Sequence, residues 1–205
     1  ENARDHYRKA QNFITEEDHA FPKSFVELHR NIGKTYVRQG DYDQALNHLS
    51  KAHQALDCCP DENPTERSEV WNDIGWIQFR RGNFAEARET LQKALDLVVD
   101  SNAYGVIASI YNRLGGVAYY HGDWDQAAEY LRNSISIRES IGDVAGLASS
   151  SNNLGNLEIE MGLFDDALED LRRNFELVNR LGQVEGIAVA YNNLGWLYIM
   201  RGEMD

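Results

Sequence analysis

Several groupings in this sequence carry side chains that would do chemistry if the backbone presented them correctly. Gly33-Lys34-Thr35 reads like the end of a phosphate-binding loop, in which backbone amides cradle the phosphate and the lysine reaches it. The earlier glycine such a loop requires is absent, with Leu28 in its place. The apolar periodicity also puts the segment in mid-helix, where no amide is free. His48 and His53 stand five apart, off the i, i+4 spacing that lets two helical histidines share a metal. Cys58 and Cys59 are adjacent, which suits neither a mutual disulfide nor chelation without further ligands. Asp165 and Asp166 are also adjacent and face apart, and no nucleophile stands with a base. The reading is therefore of a protein that is not an enzyme, with no catalytic residues, no metal and no cofactor.

Composition narrows the remaining classes. With 33 acidic against 20 basic residues the net charge is -13. That argues against nonspecific binding to nucleic acid or to an anionic membrane surface. Two cysteines without a disulfide framework point to a reducing, cytoplasmic compartment, and no apolar run approaches membrane-spanning length. A content of 42% hydrophobic residues is enough for a sizeable core.

What positions the side chains is an internal repeat. Gly33, Gly75, Gly115, Gly155 and Gly195 are 42, 40, 40 and 40 residues apart, and each is preceded by Ile or Leu. Seven residues after each comes Gly40, Gly82, Gly122, Gly162 or Gly202, then Tyr42, Phe84, Trp124, Phe164 or Met204 two further on. Ala45, Ala87, Ala127 and Ala167 follow, then Leu49, Leu91, Leu131 and Leu171. The second glycines read as turns, where positive φ costs glycine little. The first lie inside an apolar-periodic helix, where glycine costs about 1 kcal/mol relative to alanine. Close approach of a second helix, with the glycine facing its small alanine, would account for that cost. Each unit is thus helix A, turn and helix B, and neighbouring units must stack because one hairpin cannot bury its apolar face alone. Asp41, Asn83 and Asp123 read as caps of the B helices.

The order Trp or Tyr, Leu-Gly, Tyr, then Ala, Leu, Ala resembles the tetratricopeptide repeat, whose usual period is 34 residues. The longer period here is similar to the subclass in kinesin light chain, in the Leu-Gly-Asn repeat protein of spindle orientation, and in repeat arms of bacterial multidomain signalling ATPases and transcription activators. The resemblance implies an all-α fold, a right-handed superhelical solenoid of stacked antiparallel helix hairpins. Residues 1–205 would form one such domain. Residues 1–20 would be helix B of a truncated repeat, 21–60, 61–100, 101–142 and 143–182 four repeats, and 183–205 helix A of another truncated repeat. Neither end has a polar cap, so the chain is expected to be a piece of a longer array.

In this family one stripe of the A helices lines a concave groove. At one register of it stand Arg30, Asn72, Asn112, Asn152 and Asn192, a ladder of amides that would pair with the backbone of an extended peptide. The competing reading is that these amides bond neighbouring helices and stiffen the stack; for Asn31, Asn153 and Asn193, one residue later, that structural role is favoured. Further along lie Trp76, Phe79 and Arg80, then Tyr119 and Tyr120, then Asn156, Ile159 and Glu160, then Trp196, Ile199 and Met200. These aromatics are candidate anchors, or else pack against the adjacent unit. Arg30, Lys34 and Arg38, with Arg80, would form a positive strip suited to an acidic peptide or a carboxylate. The family's clamp for the terminal carboxylate of a bound peptide is not reproduced, since Arg30 and Lys34 stand where it uses lysine and asparagine. The expected function is a protein-interaction scaffold holding an extended peptide or protein segment, acidic near the first repeat, within a larger signalling protein that supplies other domains. The alternative is an intramolecular regulatory or sensor arm of a multidomain ATPase, cyclase, protease or transcription activator.

Overall fold

The computed structural model describes residues 22–57 and 64–203. The expected helix in residues 1–20, Cys58, Cys59 and Met204 lie outside the described residues. Those described form nine helices and no strand: α1 Pro22–Arg38, α2 Tyr42–Asp57, α3 Pro64–Arg80, α4 Phe84–Asp96, α5 Tyr104–His121, α6 Trp124–Ile141, α7 Val144–Glu160, α8 Phe164–Arg180 and α9 Val184–Arg201. The fold is all-α, built of helical hairpins. Contacts gather the helices into two compact units, Glu1–Ser101 and Asn102–Asp205.

In the first unit α1 pairs with α2 and α3 with α4, while α3 also packs on α1 and α2. Val26, Ala52, Leu56 and Val70 form one buried cluster, and Ala45, Leu49 and Ile77 another. In the second unit α5 pairs with α6 and α7 with α8, and α9 packs on α7 and α8. Ala118, Ala127, Ala128, Leu131, Leu154 and Leu157 belong to one buried cluster, and Ile159, Ala167, Leu171 and Leu197 form another. No helix among the described residues is long and apolar enough to cross a membrane.

The repeated mid-helix glycine has a direct steric cause, different from the one expected. A Cβ placed on Gly75, Gly115 or Gly155 would lie 2.7 Å from the Cγ of Leu91, Leu131 or Leu171 respectively. The glycine therefore seats the leucine of helix B, and the alanine contributes only its backbone carbonyl, 3.3 Å away at Ala127 and Ala167. Gly33 is looser, at 3.3 Å from Leu49, and Gly195 has nothing within 4 Å.

Seven glycines adopt positive φ, the five expected turn residues and also Gly142 and Gly182 in the B-to-A connections. The caps are redistributed too. Asp41 accepts from the Gln44 amide at 3.1 Å, but the side chains of Asn83 and Asp123 make no capping bond. Asp143, overlooked in the sequence, caps α7 by accepting from Gly146 N at 2.9 Å. Within hairpins a buried polar side chain reaches a carbonyl across the helix pair: Ser68 to Ala94, Ser134 to Ala108 and Asn174 to Ala148, at 2.7, 2.8 and 2.8 Å. Ala108 and Ala148 thereby gain a second donor beside that of their own helix, and Ala94, in the last turn of α4, gains a donor that its helix does not supply, since the Val98 amide turns to Leu95.

Candidate functional site

The stripe on the A helices is where the sequence placed function, and its register fixes how neighbouring A helices meet. One residue of each helix points toward the next, and the following residue points back. In the first unit these are Arg30 on α1 and Asp73 on α3. Arg30 is 9% exposed; its Nε donates to Asp73 at 3.1 Å and its Nη1 to Glu69 at 2.5 Å. Lys34 Nζ lies 3.7 Å from the same Asp73 carboxylate. The expected positive strip is therefore corrected, because Arg30 is spent on two carboxylates inside the unit. Arg38 and Arg80 remain exposed at the surface, with the Arg80 guanidinium 5.6 Å from the Trp76 ring. Trp76 is half-buried and stacks on Phe79 at 5.3 Å, and Phe79 meets Phe84. Asn72, expected to present its amide, is 5% exposed and belongs to the interior.

In the second unit the same register carries amides. Asn153 Nδ2 donates to Asn112 Oδ1 at 3.1 Å, and Asn193 Nδ2 donates to Asn152 Oδ1 at 2.8 Å. Ser150 Oγ also donates to Asn112 Oδ1 at 3.1 Å. Each carbonyl oxygen is thus taken by the following repeat. The NH2 groups of Asn112 and Asn152 donate to no described residue, and both side chains are half-buried at the surface. The two readings of the ladder are therefore combined in one side chain: the oxygen joins repeats and the nitrogen is left as an oriented donor.

The other sites divide. Tyr120 and Trp196 are exposed, at 60% and 48%. Tyr119 is half-buried against the Leu131 core cluster, and burial with the nearby Glu160 carboxylate raises its hydroxyl above the usual tyrosine range. Asn156 is half-buried and Asn192 exposed, the latter touching Asn193 at 3.5 Å. Ile159 is in the core, 2% exposed, so it is no groove residue. Among the described residues no group of three or more His, Cys, Asp or Glu is placed to hold a metal.

What sequence reasoning missed is the pairing of successive registers. The signal was present: Arg30 with Asp73, Asn112 with Asn153 and Asn152 with Asn193 are chemically matched pairs about one period apart.

A family model described as tetratricopeptide repeat matches residues 24–98, 67–140, 106–172 and 146–205. No curated protein matches this one. Among solved structures, BtubC (BKLC) from P. vanneervenii superposes with a TM-score of 0.79 at 18% identity, covering 98% of this chain and 81% of that one. The apo form of RapI gives 0.79 at 16% identity over 94% and 69%. The TPR-like repeats of a putative kinesin light chain from Podosopora anserina give 0.71 at 15% identity over 90% and 89%.

Proposed function

Since the chain belongs to the tetratricopeptide repeat family, whose repeats are in general protein–protein interaction scaffolds, we propose that the A-helix stripe of its second unit holds an extended peptide segment through the amide nitrogens of Asn112 and Asn152. The observation that carries this is the anchoring of each amide oxygen by the next repeat. A side chain already held in one orientation loses little further entropy on binding, and its NH2 group is a donor suited to a backbone carbonyl. Tyr120, Asn156, Asn192 and Trp196 lie along the same stripe and supply contact area and further amides. In the first unit Arg38 and Arg80, with Lys34 at the edge and Trp76 and Phe79 beside them, favour an acidic segment. The setting consistent with the paucity of cysteine is cytoplasmic.

The experiment must separate the oxygen's role from the nitrogen's. Asn112→Asp with Asn152→Asp keeps an acceptor for Ser150, Asn153 and Asn193 and replaces each NH2 donor with an acceptor. A peptide selected from a phage-displayed library on the wild-type protein should lose at least about tenfold in affinity for this variant, the scale of one to two hydrogen bonds, measured by fluorescence anisotropy. Unchanged affinity would contradict the reading.

A further inference from the structure

Glu158 is the most deeply buried carboxyl among the described residues, 2% exposed on α7. Its Oε1 receives only a 3.4 Å contact from Arg132 on α6, whose side chain is 58% exposed, and its Oε2 has no partner. The charged groups that act on it are that arginine and, from α8, Asp170 and Asp166; α5 and α9, which also pack on α7, add none. Asp170 lies within hydrogen-bonding reach of Glu158 and in turn feels Arg173 and Glu169 of its own helix, and Arg132. An ionised carboxylate in this position has only the long Arg132 contact on one oxygen and faces two like charges, whereas the protonated acid would satisfy Oε2 by donating from it.

We propose that Glu158 is a proton-held latch between α7 and α8: protonated, it closes the contact with Asp170, and its ionisation loosens that helix pair. Burial, with Asp170 beside it, raises the Glu158 carboxyl to about 7, and Asp170 is raised as well, chiefly by burial. The sign follows. The unfolded protein releases this proton in the ordinary carboxylate range while the folded unit retains it. Stability is therefore lost as pH rises from that range through about 7, where the folded group ionises, and this group adds no further loss above it. The latch concerns the rigidity of α7 and α8 and stands apart from the peptide-binding reading.

Amide hydrogen exchange of the full chain at pH 5.5 and 8, corrected for intrinsic rates, tests it. Protection in α7 and α8 should fall by about tenfold or more over that interval in the wild type, and by much less in Glu158→Gln. An equal fall in both proteins, or none in the wild type, would overturn the proposal. Carbon-13 detection of the Glu158 carboxyl reads the same group without relying on that variant: its midpoint should lie near neutrality and drop in Asp170→Asn. A Glu158 midpoint in the ordinary carboxylate range, or one indifferent to Asp170→Asn, would equally overturn it.

Discussion

The two units join their A helices at the same register with different chemistry. Between α1 and α3 the joint is ionic, Arg30 against Asp73 and Glu69; between α5, α7 and α9 it is a pair of amide bonds, Asn153 to Asn112 and Asn193 to Asn152. An ionic joint spends its buried arginine on carboxylates of the same unit. An amide joint uses one end of each side chain and leaves the other available. The units differ also in what burial does to their titrating groups, a neutral His pair in the first and a protonated carboxyl in the second.

The largest expected contrast comes from breaking each joint. Asp73→Ala strands a buried guanidinium with Glu69 alone and should cost about 3 kcal/mol. Asn153→Ala removes one neutral bond of the two that Asn112 accepts and should cost about 1 kcal/mol. Urea unfolding of both variants checks the ratio; equal costs would erase the distinction between the joints.

The next contrast is in pH. His29 and His48 meet Nδ1 to Nδ1 at 2.9 Å between α1 and α2, with Phe25 and Tyr36 packed against them. Burial, the neighbouring His48 and Lys51 hold His29 down at about 4, and burial and Lys51 lower His48 as well. A histidine whose folded value lies below its unfolded one contributes fully above the unfolded value of about 6.5 and loses that contribution as pH falls toward 4. The first unit should therefore weaken by on the order of 3 kcal/mol on acidification over that window. Over the same interval the second is relieved of the Glu158 penalty. Unit-resolved exchange protection at pH 4.5 and 7 should move in opposite directions, and a common direction would break the comparison.

Smaller effects come from the glycine seats. Gly115→Ala meets Leu131 and should cost about 1–3 kcal/mol through overpacking, partly offset by about 1 kcal/mol of helix propensity. Gly195→Ala meets nothing and should be neutral or slightly stabilising, as read by Tm in both variants.

The repeats were legible in the sequence because glycine at two registers is a strong local signal, set by the turn at one and by the seat for a leucine at the other. The partner of each seat was not, because a leucine and an alanine four apart on helix B share one face, and only coordinates show which of them fills the gap. Arg30 was misread for a related reason. Its partner Asp73 lies 43 positions away, and a stripe read along one helix does not show what the next helix presents to it. The carboxyl at Glu158 left no trace in the sequence, where an acidic residue on an A helix looks like any solvated charge.

The amide reading is tested most directly by the side-chain NH2 resonances of the second unit during titration with the selected peptide. Those of Asn112 and Asn152 should shift strongly and in saturable fashion, while those of Asn153 and Asn193, already donating within the protein, should move little. Shifts confined to Asn153 and Asn193, or no asparagine shift at saturation, would contradict the account.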